Sequence, residues 1–218
     1  MTDPIEYRVR RSDRAQRVRV SVDAQAGVEV VLPRRSPERA AGDAVTELRP
    51  WIERRLAEAH AVREHLAARA GTVPYLGVDL QLRHEPERMR VHRRGNALLV
   101  PAVDPQGALE RWYRRAARAE IAPRLDRAVA ALRTSYCRLT IRNQRTRWGS
   151  CSTMGAMSFN WRLLLAPEPV LDYVVWHEAC HLRVMDHSTR FWELVDRHCP
   201  DFQEPRRWLR RHGATLVL

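Results

Sequence analysis

The chain of 218 residues carries a formal net charge of +12, and all 38 of its basic residues are arginine. This length suits one large domain or two small ones and allows a substantial hydrophobic core. No run approaches the roughly 18 apolar residues of a membrane-spanning helix, and no secretory signal peptide is visible in the polar, charged start. These features predict a cytoplasmic protein without a membrane partner.

The positive charge has two interpretations. Because lysine is absent and alanine is abundant, codon bias in a GC-rich genome accounts for a solvated, arginine-rich surface. Alternatively, pairs such as Arg10-Arg11, Arg34-Arg35 and Arg206-Arg207 belong to a surface that binds a nucleotide or a nucleic acid. The arginine clusters are scattered along the chain, so the sequence leaves both interpretations open.

The cysteine spacing bears on the cellular compartment. Cys137, Cys151, Cys180 and Cys199 form no CxxC pair, which argues against a zinc ribbon or a redox motif. We expect four free thiols, as is usual in a reducing compartment.

The first third of the chain is predicted to be mainly β. Three segments alternate apolar and polar residues with period two, namely residues 5–10, 17–22 and 27–32. They indicate a small antiparallel meander with one solvated face. Ser36 and Pro37 predict the start of a helix that continues to about residue 65 and is broken or kinked at Pro50.

A linker containing Pro and Gly, at residues 101–107, is the predicted domain boundary. Short strands are predicted before it, at residues 75–83, 89–92 and 97–100, and a long helix after it, at residues 109–132. The expected organisation is a β-rich N-terminal subdomain with a helical segment (1–102) and a second domain (103–218).

The second domain is predicted to alternate strands and helices. Strands are expected at residues 138–142 and 157–165, with a tight turn at residues 147–152 between them. In that turn, Gly149 permits unusual backbone angles. Pro167 and Pro169 open a helix, Ser188 caps the next helix (189–198), and a last helix covers residues 205–212. The predicted fold class is therefore α+β.

The most informative run lies on the helix that the two prolines open. His177 and His181 are four residues apart, so they lie on one helix face and can bind one ion. Glu178 lies between them, where it can activate a water without being a ligand, and His187 supplies a third ligand. Three histidines leave one tetrahedral position free, as a catalytic zinc requires. Residues 170–176 are almost entirely apolar, which predicts a buried helix whose polar groups a metal would satisfy.

Four runs of the sequence resemble the YgjP-like metallopeptidase family: RWGSCS (147–152), SFNWRLLLAP (158–167), YVVWHEACHL (173–182) and DHSTRFW (186–192). The opening RRSDRAQRVRVSV and the segments at residues 51–55 and 75–77 fit as well, so the resemblance covers nearly the whole chain. It implies a zincin-like catalytic half behind a β-rich N-terminal half. It also implies Zn2+ held by His177, His181 and His187, with Glu178 as the general base.

A more distant resemblance is to the SprT-like proteases, which share the HExxH-x5-H spacing. The cysteine-rich zinc ribbon often attached to those proteins has no counterpart in this sequence, so their DNA-repair role is not carried over. Metzincins place Gly three residues after the second His, whereas Val184 occupies that position here. The absence of a Met-turn sequence after His187 also argues against metzincin membership.

These residues predict a zinc-dependent metallopeptidase that acts on a peptide or protein, with Glu178 taking a proton from a zinc-activated water. Arg147 is the candidate stabiliser of the oxyanion, with a surface ion pair as the alternative. Asn160 and Trp161 either line the cleft or serve sheet packing. Residues 157–163 are predicted to be the edge strand that pairs with an extended substrate.

Two other functions stay open from the sequence. The same metal site would suit hydrolysis of a nucleotide phosphoanhydride, although no phosphate-binding Gly loop supports it. A nucleic-acid-associated protein with a structural metal is the second alternative, against which three His and a Glu argue because a structural zinc site is closed.

Overall fold

The computed structural model describes residues 4–23, 27–144 and 146–218. Within this part the chain forms ten strands and six α-helices, which confirms the predicted α+β class. It divides into two compact units, Met1–Ala68 and Arg69–Leu218. The boundary expected after residue 102 lies inside the second unit, because the strands that precede it share a hydrophobic core with the helices that follow.

The first unit contains a three-stranded sheet of β1 (Tyr7–Ser12), β2 (Arg19–Asp23) and β3 (Gly27–Pro33). The predicted meander is wrong, because the strand order is β1-β3-β2 and β1 runs parallel to β3. The most apolar strand takes the central position, where it has neighbours on both sides. The outer strand β1 is exposed along most of its length.

Two helices follow in the first unit, α1 (Arg39–Glu47) and α2 (Arg49–Ala68). The break predicted at Pro50 is present, and Pro50 lies in the first turn of α2, where its missing N–H costs no helical hydrogen bond. Ser36 is not the helix cap, since α1 begins after Glu38. The helices pack on one face of the sheet around a small aliphatic core: Val28, Val30, Leu32, Ala41, Val45 and Ile52.

The second unit begins with a four-stranded sheet. Its strands are β4 (Thr72–Tyr75), β5 (Val78–Glu85), β6 (His92–Arg94) and β7 (Ala97–Pro101), in the order β4-β5-β7-β6. The long helix α3 (Pro105–Ala131) packs against this sheet, and Asp104 caps it by accepting a hydrogen bond from the Gly107 N–H. Tyr113 is fully buried in α3 and donates its hydroxyl hydrogen to the carbonyl of Pro74, which fixes the helix to β4.

A second sheet of this unit contains β8 (Arg138–Arg142), β9 (Gly149–Cys151) and β10 (Ala156–Asn160). Two predictions need correction here. Residues 149–151, predicted as part of a tight turn, form a strand. Residues 157–163 are not an edge strand, because the order β8-β10-β9 places β10 in the centre and a short 3-10 helix (Trp161–Leu165) follows it. Asn160 ends the strand by accepting a hydrogen bond from the Arg162 N–H.

The two edge strands of this sheet are β8 and β9, and β9 is the one that packs against α4. Trp148 and Ser152 flank β9. The Trp148 carbonyl accepts a hydrogen bond from the Asn160 N–H, the Ser152 N–H donates to the Ala156 carbonyl, and Ser150 lies opposite Ser158. Because bonded residues alternate in an antiparallel pair, the backbone groups of Gly149 and Cys151 point away from β10. Among the described residues, no backbone hydrogen bond is made on this outer side of β9, so this edge of the sheet is able to accept another strand.

Three helices complete the second unit: α4 (Glu168–Cys180), α5 (Thr189–His198) and α6 (Gln203–His212). The helix α4 packs against α3, α5, α6 and β9, and its exposed residues are Glu168 and Pro169 in the first turn. Pro167 and Pro169 stand at its start, as predicted, because the first turn of a helix tolerates proline. No helix among the described residues is long and apolar enough to cross a membrane.

Candidate metal centre

The end of α4 brings the three predicted histidines together. His177 lies in the last turn of α4, His181 is the residue that ends the helix, and His187 lies in the loop before α5. One ring nitrogen from each histidine lies within 4.8 Å of the others. The Nε2 atoms of His177 and His187 are 3.1 Å apart, close to the roughly 3.3 Å expected around a tetrahedral zinc with bonds of about 2.0–2.1 Å.

The ring of His181 is oriented by the backbone. Its Nδ1 lies 3.0 Å from the carbonyl oxygen of Val184. A hydrogen on Nδ1 donated to this oxygen leaves the Nε2 lone pair for a metal, which is how metal-binding histidines are usually held. Val184 occupies the position of the metzincin glycine, and here its N–H donates to the carbonyl of Cys180 in a tight turn.

Aromatic side chains from α5 surround the triad. The Phe191 ring is fully buried, with its centroid 4.4 Å from that of His181 and 4.8 Å from that of His187. Trp192 stacks on His187 at 5.6 Å. These contacts hold the imidazole rings in place and exclude water from behind them, so the three nitrogens are positioned before any ion arrives.

Burial keeps the imidazoles of His177 and His181 in the neutral form that binds metal. The pKa of His177 is lowered to about 3, first by burial and then by the positive charges that His181 and His187 would carry. Burial also lowers the pKa of His181. Neutral imidazole is the ligand form, so protons compete weakly for these nitrogens. The buried Nδ1 of His177 has no hydrogen-bond partner among the described residues. Three imidazole nitrogens at this spacing fit a divalent ion such as zinc.

The Glu178 carboxyl group lies beside the triad and is only 7% exposed. Its pKa is raised to about 7 by burial, an effect that the positive charge of Arg147 partly opposes. A carboxylate whose pKa lies near neutrality is suited to general-base catalysis, because it can both accept and release a proton. Glu178 is thus a buried carboxylic acid that follows His177 directly in α4, with a pKa near neutrality.

The strand β9 provides the space for Glu178. A Cβ atom on Gly149 would lie 2.5 Å from Cγ of Glu178 and 2.7 Å from its Oε1, which no real contact allows. The glycine is thus required for close approach. The unusual backbone angles expected for Gly149 do not include a positive φ, because Gly149 is not among the glycines with one. Sequence reasoning missed this contact, although RWGSCS was among the runs that it singled out.

The other predicted site residues have different surroundings. Arg147 is exposed, and its charge acts on Glu178. Asn160 is buried and donates its side-chain hydrogens to the carbonyls of Gln144 (2.7 Å) and Arg147 (3.3 Å). It therefore fixes the segment that leads into β9 and does not line a cleft. Trp161 is also buried, in the hydrophobic core.

One further residue near the triad was not predicted. The Arg206 guanidinium on α6 lies 4.3 Å from the ring centroid of Trp192, and its charge contributes to the lowered pKa of His177. No pattern around Arg206 distinguishes it from the many other arginines of the chain, so the sequence alone contains no signal for it.

A three-histidine cluster with a buried carboxylate beside it, at the end of an α+β core helix, defines the class of metal-dependent hydrolases. The profile of the family described as "YgjP-like, metallopeptidase domain" matches residues 16–212. The chain belongs to this family of metallopeptidases, which confirms the resemblance seen in its sequence and implies a peptide or protein substrate.

Two other comparisons add little. The chain is similar to a solved structure described as the metallopeptidase zymogen of Pyrococcus abyssi abylysin, with 22% identity, a TM-score of 0.39, and coverage of 44% of this chain and 99% of that one. This similarity is too low to support an argument about the site. No protein with a curated description matches the sequence.

Proposed function

We propose that this chain is a zinc-dependent metallopeptidase in which His177, His181 and His187 hold the ion and Glu178 is the general base. The observation that carries the proposal is the convergence of three ring nitrogens within 4.8 Å next to a buried carboxylate. When bound, zinc would act as a Lewis acid that polarises a carbonyl and lowers the pKa of a water to about 7.

Glu178 has the position and the pKa for proton transfer. In the proposed reaction its carboxylate accepts a proton from the attacking water and then gives it to the leaving amine. The pKa of about 7 suits both steps, because neither protonation state is strongly preferred near neutral pH. Gly149 keeps the carboxylate beside the imidazoles by leaving it room.

We assign Arg147 as the stabiliser of the oxyanion that develops on the substrate carbonyl. Its positive charge already acts on Glu178, which supports a position within reach of the reacting groups. Replacing an oxyanion donor lowers kcat by about 100- to 1,000-fold, and the exposure of Arg147 makes the lower end of that range the expected result. Arg147→Gln should show this loss with unchanged metal content. The exposed Arg142→Gln serves as control.

The free edge of β9 supports the mode of substrate binding. An extended peptide would pair with the outward-facing backbone groups of Gly149 and Cys151, and this pairing would run it past Glu178. When single backbone nitrogens of a peptide substrate are methylated, KM should therefore rise only for methyl groups at every second residue. Only these residues would turn their N–H groups toward β9. Equal effects at every position would contradict pairing along this edge.

Metal content and activity test the proposal together. Elemental analysis of the wild-type chain should give about one zinc per chain, as should Glu178→Gln, whereas His181→Ala should lose the ion. The exposed His84→Ala is the matched control and should keep it. Peptide cleavage should be lost in both Glu178→Gln and His181→Ala. Absence of metal from the wild-type chain after zinc is supplied would refute the proposed site.

The nucleotide alternative is examined with the same variants. Turnover of a nucleoside triphosphate that Glu178→Gln abolishes, without cleavage of any peptide, would replace the peptidase proposal with phosphoanhydride hydrolysis. Loading the metal-free chain with Zn2+, Mn2+ or Co2+ in separate samples tests whether zinc is the most active ion, since affinity order alone does not decide this.

We also propose a cytoplasmic location. The four cysteines are free thiols and form no disulfide, which is the usual state in a reducing compartment. Cell fractionation with a tagged full-length chain checks this, and recovery outside the cytoplasm would contradict it.

A further inference from the structure

The first unit has a positively charged pocket that the proposed peptidase reaction does not use. It is a concave site of about 380 Å³ on the sheet of this unit, lined by Arg10, Arg14, Arg17, Arg19 and Val31 together with small and neutral polar residues. None of its lining residues is acidic. These arginines are separated in the sequence, and the fold of β1 and β2 around β3 brings them together.

The sheet register fixes two of the arginines. Val31 on the central strand lies opposite Arg10 of β1 on one side and opposite Arg19 of β2 on the other. Residues directly opposite each other project from the same face of a sheet. This is the face away from α1 and α2, because the alternate residues Val30 and Leu32 form the core beneath the helices.

The environment of Val31 supports this arrangement. It is only 3% exposed although its face carries no helix of this unit. Long charged side chains can shield apolar surface while keeping their charged ends in water, and the arginines that flank Val31 are of this kind. Arg10 and Arg19 are both exposed and line the pocket, on strands whose backbones have a fixed spacing.

The charge of the pocket is largely uncompensated. Glu29 forms an ion pair with Arg10 at 3.2 Å, and Asp13 is paired with Arg34 outside the pocket. In the described part of the chain, Arg14, Arg17 and Arg19 have no carboxylate within ion-pair distance. Three like charges around one concavity repel each other, and an anionic ligand would relieve that repulsion.

We propose that this pocket binds the phosphodiester backbone of a nucleic acid. Guanidinium groups match phosphate oxygens in bidentate geometry. The backbones of Arg10 and Arg19 stand two strand spacings apart, about 9.5 Å, so the pocket is wide enough for more than one phosphate. Arg14, Arg17 and Arg19, which have no carboxylate partner among the described residues, are the arginines that we expect to contact them. The neutral Ser12 and Gln16 of the lining add hydrogen-bond donors that phosphates also accept. Contacts to phosphate oxygens carry no sequence information, so we expect binding that is independent of sequence.

The experiment is a salt series of nucleic-acid binding by the full-length chain. A dye-labelled, single-stranded DNA of mixed sequence is titrated with protein, and fluorescence anisotropy gives the affinity at increasing salt. Three phosphate contacts predict a slope of about −2 for log K against log salt, because each contact on a single strand contributes about −0.7. The triple variant R14Q/R17Q/R19Q should remove most of this slope and weaken binding at low salt at least tenfold.

A matched variant separates a local site from net charge. R35Q/R54Q/R63Q removes the same three charges from other exposed positions of the same unit, and it should retain the wild-type slope within about 0.7. Circular dichroism and the thermal midpoint establish that both variants are folded. R17Q alone should reduce the slope by about 0.7.

Three outcomes would overturn the proposal. Equal losses in both triple variants would assign binding to net charge, and absence of binding by the wild-type chain at low salt would refute it directly. Equally tight binding of polyglutamate, again lost in R14Q/R17Q/R19Q, would make the ligand an acidic peptide. None of these outcomes depends on zinc or on peptidase activity, so the proposal stands or falls separately from the proposed enzyme.

Discussion

The two units differ in what they bury. The first has a core of six aliphatic residues and, among its described residues, no buried polar side chain. In the second, all four buried polar side chains lie on β10 or at α4: Ser158, Asn160, Glu178 and His181. Burying a polar group is costly unless it is hydrogen-bonded or binds a metal. The second unit tolerates that cost because its hydrophobic core is much larger.

The two units also place their functional charged side chains in different environments. In the second unit the charged form of Glu178 is disfavoured by burial, which raises its pKa toward neutrality and suits it to proton transfer. In the first unit the arginines of the pocket keep their charge at the surface of a sheet. A catalytic group needs a buried environment, whereas a group that attracts an anion works at the surface.

The largest expected effect comes from filling the space beside Glu178. Gly149→Ala should lower peptidase activity by about 100- to 10,000-fold, the usual contribution of a general base, because the new Cβ displaces the carboxylate. Metal content should stay near one per chain, since the histidines are untouched. Unchanged kcat/KM in Gly149→Ala would contradict the tight contact.

A double variant isolates that contact. In an Glu178→Ala background, Gly149→Ala should have little effect on the thermal midpoint, because the side chain that it meets is gone. Non-additive stability changes are the signature of direct contact. Additive changes would show that Gly149→Ala acts through β9 itself.

The next effect concerns the aromatic packing behind the triad. Phe191→Ala should destabilise the second unit by about 3–5 kcal/mol, as is usual for a buried phenylalanine. Zinc affinity should fall as well, because His181 and His187 both pack on this ring. Chemical denaturation and competition with a chelator measure the two effects. Phe191→Leu retains most of the volume and should show a smaller loss of both.

A core substitution in the first unit should reduce stability without affecting the metal site. Ile52 is fully buried in its small core, so Ile52→Ala should reduce stability by about 2–5 kcal/mol. Metal content should remain at one per chain, because no ligand belongs to this unit. Loss of zinc from a folded Ile52→Ala chain would show that the metal site depends on the first unit.

How far the sequence predicts the molecule depends on the range of the interactions. The approach of His177 to His181 was predictable, because helical periodicity is local and places residues four apart on one face. The strand orders were not, since pairing β1 with β3 and placing β10 in the centre depend on contacts between distant segments. The close contact between Gly149 and Glu178 was equally unpredictable, because it forms only when β9 packs on α4.

The smallest expected effect tests an ion-pair cluster at the start of α4. The Arg124 side chain on α3 is 12% exposed and contacts Glu120, Glu168 and Asp172, with 2.9 Å from its Nε to Asp172. Arg124→Gln leaves these carboxylates without their shared cation, so we expect a loss of about 1–3 kcal/mol. The exposed Arg127→Gln should change stability by less than about 0.5 kcal/mol.

Because the cluster fixes the first turn of α4 and the histidines lie at its other end, metal content should not change in either variant. Urea denaturation at low and high salt measures the difference, and salt should reduce it only partly, since Arg124 is mostly buried. Equal stabilities of the two variants would show that α4 is held by its apolar faces alone.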